Sequence, residues 1–377
     1  MTLPVTPARH VYLHVPFCTR RCSYCDFAIS VRRDVPVGAF IRSVSAELAV
    51  RHSGHGDSEL DTIYLGGGTP SKLGESGIRD LLASIRAAGL RSGPASEVTI
   101  EANPEDVSLA AVGAWVRAGV NRLSIGIQSF SPPALGWMHR THDADQAAAA
   151  VAAARAGGME NVSVDLIYAL PDTVSRRWSD DLDRVLGLEP EHVSVYGLTI
   201  EPQTPLGRWT ARGEVAPQTE DRAAEEFHVA HERLTAAGYE HYEVSNYARP
   251  GRRSRHNSAY WRRVPYLGIG PSAHSFDGAA RRWNVAAYAG WEAALARGDD
   301  PVAGVEQLTA DERAAEETYL GLRTDAGLAL TSARDVATAR TWVTAGWAVL
   351  TGDHVRLTPE GWLRLDALVG SLTPLSH

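Results

Sequence analysis

The sequence predicts an α/β fold: a partial (β/α)6 barrel followed by a small C-terminal winged-helix-like α+β domain. Three observations predict it. Six short apolar runs alternate with six longer amphipathic stretches. The apolar runs are near-continuous rather than strictly alternating, as expected of parallel strands buried on both faces. The regularity ends near Tyr239, and a different pattern takes over.

The strand runs are His10–Phe17, Thr62–Gly66, Glu97–Glu101, Arg122–Gln128, Asn161–Tyr168 and His192–Thr199. The helical stretches between and after them are Val37–Arg51, Glu75–Ala88, Ser108–Ala118, Ala144–Ala156, Ser175–Leu188 and Glu220–Ala237. Asp143 followed by Gln146 has the spacing of an N-cap with a capping-box partner. Six βα units in a row imply a parallel sheet with right-handed crossovers. Eight units close a standard barrel, so six imply an open, curved one. On this reading residues 1–240 form the barrel and 241–300 a loop-rich extension. Residues 301–377 form the small domain, with helices at Leu308–Leu322, Ser332–Ala337 and Thr341–Ala345. A hairpin of Trp347–Leu350 and His354–Leu357 then turns at Thr351-Gly352-Asp353, and a last helix begins near Pro359.

Composition narrows the function classes. The formal net charge of the 377 residues is -8, which argues against a global electrostatic grip on nucleic acid or anionic membrane. No run approaches the roughly 20 apolar residues of a membrane helix. The start of the chain lacks the pattern of a secretory leader, so the cytoplasm is the expected location. Lys72 is the only lysine, so arginine clusters carry less information here than usual. All 3 cysteines fall in one short window, which is no disulfide framework and points to a metal or redox site in a reducing compartment.

That window reads HVPFCTRRCSYCDF, with Cys18, Cys22 and Cys25 in C-x3-C-x2-C spacing. Three thiolates on one loop can hold three corners of an iron–sulfur cubane. The fourth iron then keeps an open position for another ligand. A zinc site of the three cysteines with His14 is the competing reading, although zinc ligands usually come on two separated arms and no second arm exists.

Working groups in parallel barrels sit at the carboxyl ends of strands, and polar features fall there on separate strands. Gly66-Gly67-Gly68-Thr69-Pro70 follows the second strand, either as a ligand-approaching backbone or as a simple tight turn. Glu101 ends the third, where a carboxylate can bind ribose hydroxyls; Asn103 is expected to cap the next helix. Gln128 ends the fourth, Arg140 lies just beyond, and Asp165 sits within the fifth, where an unpaired carboxylate is costly.

The cysteine spacing directly after a first strand resembles the signature of the radical S-adenosylmethionine (SAM) superfamily. The segments YLGGGTP, TIEANPE, RLSIGIQSF, VDLIYALP and SVYGLTIEPQTPL extend the resemblance to the anaerobic coproporphyrinogen oxidase group over nearly the whole chain. The resemblance implies a [4Fe-4S] cluster on the three cysteines, with SAM chelating the open iron and cleaved to a 5′-deoxyadenosyl radical on reduction. It also implies SAM-site roles for Tyr12, Tyr24, Gly67, Gly68, Thr69, Glu101, Gln128, Arg140 and Asp165, with His274 near the same pocket. SAM cleavage needs a reductant, and clusters of this kind can lie at or below roughly −400 mV, so a flavodoxin- or ferredoxin-type donor is expected.

Two branches of that group must be separated. The oxidase branch carries a fourth cysteine two residues after the third, where this chain has Phe27, and a long N-terminal extension, where this chain has only 17 residues before Cys18. Both departures resemble the sister branch of haem chaperones. Arg255-His256-Asn257-Ser-Ala-Tyr260-Trp261 resembles that branch's H-N-x-x-Y-W motif and implies haem as ligand. His256 is then a candidate axial ligand, with Arg249, Arg252, Arg253, Arg255, Arg262 and Arg263 as candidates for the propionates. The implied partners are haem and acceptor haem proteins such as respiratory enzymes. The alternative functions are oxygen-independent coproporphyrinogen III oxidation and another radical reaction on a porphyrin.

Overall fold

The computed structural model describes residues 8–52 and 57–372; the stretch read for a leader lies partly outside them. Six parallel strands run in chain order across one sheet: His10–Val15, Ser58–Gly67, Leu90–Ala102, Arg122–Gln128, Val162–Tyr168 and His192–Gly197. Helices cover the sheet, among them Val37–His52, Gly74–Ala87, Leu109–Ala118, Ala144–Ala156, Trp178–Leu188 and Glu220–Ala236. The core forms where both sets bury apolar side chains. Val11, Leu13 and Val15 of the first strand are 0% exposed, and Phe40, Leu81, Trp115 and Leu182 pack on the sheet from the helices. Each such side chain contributes about 1.5–3 kcal/mol when fully buried. The capping box at Asp143 and Gln146 forms as expected.

Three further strands extend the sheet. Leu267–Ile269 pairs parallel beside the first strand, Asn246–Ala248 pairs antiparallel beside the sixth, and Glu240–Glu243 lies beyond it. Each has only three or four residues, too few for a period to show. Residues 241–300 therefore hold more regular structure than expected, including helices Arg255–Trp261 and Tyr288–Ala296 and the strands His274–Phe276 and Ala280–Asn284.

The C-terminal module has its own core around Leu322, Trp342, Val355 and Trp362, joined to the barrel helix through Phe227. Its strands Leu328–Ala329, His354–Leu357 and Ala348–Thr351 form a small antiparallel sheet against the helices, a winged-helix-like arrangement. The two helices expected at 332–345 are one, Ala333–Thr344.

A single buried carboxylate pins the extension to the barrel. Glu47, 0% exposed on the first helix, accepts hydrogen bonds from Arg51 Nη1 (3.1 Å), Gly270 N (2.9 Å), Asn284 Nδ2 (2.6 Å) and Trp291 Nε1 (2.8 Å). Removing it takes the acceptor from Gly270 N and Trp291 Nε1 and the counter-charge from buried Arg51, which keeps only Gly268 O and Ser275 Oγ. Glu47→Ala is expected to lower the unfolding free energy by about 3–5 kcal/mol in denaturant titration. A loss below about 1 kcal/mol would mean these contacts do not hold the extension.

Candidate functional site

The carboxyl ends of the barrel strands open onto a cleft of ≈ 460 Å³. The loop after the first strand brings Cys18, Cys22, Tyr24 and Cys25 to its wall, and the second strand brings Gly67, Gly68 and Thr69. Glu101, Gln128 and Asp165 arrive from the third, fourth and fifth strands, and Arg140 from the segment beyond the fourth. Of the twelve residues expected to hold SAM or the cluster, all but Tyr12 thus share one cleft. Tyr12 and His274 instead line an adjoining cleft, and His256 lines neither.

The cysteines are half-buried free thiols. Cys18 Sγ lies 3.5 Å from Thr69 Oγ1. Burial pushes the Cys18 thiol up and the Cys25 thiol up to about 11. Such thiols stay protonated unless positive charge offsets the buried thiolate. Arg140 supplies part of it: Nη1 reaches Cys22 Sγ at 3.6 Å, while Nη2 donates to Asn103 Oδ1 (2.7 Å) and Gly126 O (2.6 Å). Asn103 was expected to cap the following turn, yet its side chain makes no cap bond and holds Arg140.

His14 is not available as a fourth metal ligand. Its Nδ1 is bonded to Tyr12 OH (3.0 Å) and its Nε2 to Ala28 O (3.0 Å). Among the described residues, no group of three His, Cys, Asp or Glu side chains stands close enough to hold a single metal ion. A single zinc draws all its sulfur ligands to about 2.3 Å from one point. A cubane gives each thiolate its own iron, so three thiols spread along one wall of a cleft, with a guanidinium beside them, fit the cluster better.

The glycine turn is more than a tight connection. Gly67 has φ +108°, and a Cβ there would lie 2.6 Å from the His14 ring. Its N–H donates to Glu101 Oε2 (3.1 Å), and Tyr64 OH donates to Glu101 Oε1 (2.7 Å). Tyr64 was invisible as a site residue, being one ring within an apolar strand. Burial, only partly offset by these hydrogen bonds, pushes the Glu101 carboxyl up to about 7. Asp165 is also pushed up by burial, against hydrogen bonds from Ser194 and Ser124 and the Arg122 charge. Gln128 has φ +69°, a left-handed conformation that non-glycine residues rarely adopt outside functional sites.

His256 is 1% exposed, with Nδ1 bonded to Thr62 Oγ1 (2.6 Å) and Nε2 to Tyr260 OH (2.8 Å). Burial lowers it to about 3, so it is neutral at ordinary pH. With both nitrogens engaged it has no lone pair to offer an iron. Three of the six arginines proposed for the propionates are engaged within the protein. Arg249 donates to Ala237 O, Arg253 pairs with Glu240 and Asp325, and Arg255 donates to Ala95 O. Of the six, Arg263 alone lines either of these two clefts.

Comparison with known proteins places this geometry in context. A radical SAM superfamily model matches residues 12–183. The heme chaperone HemW of Mycobacterium tuberculosis is 37% identical over 367 residues, covering 96% of this chain and 94% of its own. HemW of Bacillus subtilis is 33% identical over 320 residues, covering 85% and 84%. Among solved structures, coproporphyrinogen III oxidase (HemN) from Escherichia coli superposes with a TM-score of 0.82 over 98% of this chain and 92% of that one, at 21% identity, a likeness of fold.

Glu101 generates a pH-dependent test. A carboxyl raised from 4.5 to about 7 binds its proton more tightly folded than unfolded. Its contribution is therefore favourable at low pH and is lost as pH rises through about 7. Glu101→Gln is expected to stabilise the cofactor-free protein by roughly 1–3 kcal/mol at pH 8, with the gain nearly gone at about pH 4. Thermal melts across pH check it. A variant less stable than wild type at pH 8 would contradict the assignment.

Proposed function

The chain belongs to the radical SAM superfamily and, within it, to the HemW haem chaperone family, and on that premise we propose that it binds haem and passes it to acceptor haem proteins such as respiratory enzymes. The observation that carries this reading over the oxidase alternative is Phe27. It lines the cysteine cleft, 56% exposed, where the oxidase branch has its fourth cysteine. A phenyl ring offers no ligand or redox group, but it does offer a flat apolar surface.

Cys18, Cys22 and Cys25 would hold three irons of a [4Fe-4S] cluster, with the fourth open to SAM. When bound, that pair supplies low-potential one-electron chemistry, fed by a flavodoxin- or ferredoxin-type reductant. The chain's own residues hold and orient it. Arg140 offsets thiolate charge at Cys22, and Thr69 supports Cys18. Gly67 and Gly68 would bring backbone close to the ligand, and Glu101 and Asp165 would accept hydrogen bonds from its hydroxyls. Gln128 and the Tyr24 ring flank it. Tyr12 acts from behind, holding the His14 ring under Gly67. A protein built around reduced thiols suits the cytoplasm, and among the described residues no helix is long and apolar enough to cross a membrane.

The test sets two activities side by side. Anaerobically reconstituted protein is given SAM, reductant and coproporphyrinogen III, and separately titrated with haem. A stable Soret band without protoporphyrinogen is expected. Turnover to protoporphyrinogen without stable haem binding would overturn the proposal in favour of the oxidase.

A further inference from the structure

Tyr260 and Trp261 do not face the cysteine cleft. They line the adjoining cleft, ≈ 560 Å³, together with Tyr266 and Phe276. The volume is within the range of about 300–1,000 Å³ typical of small-molecule and cofactor sites. Asp26 and Phe27 of the cysteine loop line both clefts, so a ligand in the second would lie against the loop that carries Cys25.

The second cleft holds polar groups without partners among its aromatic rings. Trp261 Nε1 is buried and, among the described residues, donates to nothing. Arg263 and Arg281 flank Glu316, and the Arg263 Nε to Glu316 Oε2 contact, 3.5 Å, leaves both atoms without a hydrogen bond. Two histidines line the cleft. His14 has both ring nitrogens engaged. His274 stacks on Trp283, with ring centroids 5.9 Å apart, and among the described residues its ring nitrogens carry no hydrogen bond. Burial and the Arg281 charge lower its pKa, which favours the neutral imidazole a metal requires.

Flat rings, carboxylate-binding donors and one neutral imidazole with its nitrogen lone pair free describe a metalloporphyrin site. We propose that haem binds in this second cleft with His274 as its axial iron ligand. Trp261 Nε1 and the Arg263–Arg281 pair meet the propionates, with Glu316 displaced from the arginines. His256 is a positioning residue, fixing the Tyr260 hydroxyl from behind the wall. The inference rests on the haem-chaperone reading and deepens it.

The experiment titrates ferric haem into the reconstituted full chain and records the Soret band. Resonance Raman of the ferrous form then reads the iron–imidazole stretch. In wild type the stretch is expected. In His274→Gly it is lost and haem affinity falls about 10-fold or more, equal to at least 1.4 kcal/mol; added imidazole restores the band. His256→Gln keeps it. His274→Met, which keeps a side chain at the site, replaces the imidazole signature with a thioether one, and retained cluster absorbance checks the fold of each variant. If wild type binds haem but the stretch persists in His274→Gly, or vanishes only in His256→Gln, this inference is overturned while the chaperone reading stands. If wild type binds no haem, the chaperone reading itself fails.

Discussion

Two carboxylates, Glu101 and Asp165, stand at the open edge of a sheet whose strands are otherwise apolar. Keeping them there is the constraint around which the rest of the cleft is organised. Burial opposes charge at both positions, and among the described residues neither has an arginine in direct contact. They are held by neutral donors: Tyr64 and the Gly67 amide for Glu101, Ser124 for Asp165, with the buried Arg122 acting at longer range. A fold that only needed stability would fill these positions with apolar side chains. Retaining buried carboxyls and a left-handed Gln128 at one edge concentrates unfavourable energy where a ligand can repay it.

Much of this was legible in the sequence, for physical reasons. Parallel strands buried on both faces must read as apolar runs, so a polar residue at a strand's end stands out. Glu101, Gln128 and Asp165 were found that way, and the cysteines by their spacing. What escaped has equally plain causes. Tyr64 and Asn103 act through other residues, and their types do not distinguish that role from packing or capping. The edge strands Asn246–Ala248 and Leu267–Ile269 take their conformation from pairing with neighbours rather than from local pattern.

His256 carries a broader lesson. A histidine in an aromatic, arginine-rich stretch reads as a metal ligand, and its motif resembles one. The helix Arg255–Trp261 turns it inward instead, where the Glu97 carboxylate accepts the backbone N–H groups of Arg255 and His256 and fixes the helix start. The ring becomes part of a buried chain from His10 through Thr62 to Tyr260. The outward members of the motif, Tyr260 and Trp261, are the ones that meet the second cleft. Two clefts that share Asp26 and Phe27 put an aromatic-lined space and the cysteines on either side of one short segment, an arrangement in which occupancy on one side can be felt on the other.

The central claim is that three thiols hold a cubane with one iron free. It is tested most directly by iron and acid-labile sulfide analysis of the anaerobically reconstituted protein, with EPR of the reduced cluster before and after addition of SAM. About four irons and four sulfides per chain are expected, with an EPR signal that SAM perturbs and that Cys→Ser at position 18, 22 or 25 abolishes. Stoichiometric zinc without sulfide, or a cluster signal indifferent to SAM, would contradict the account.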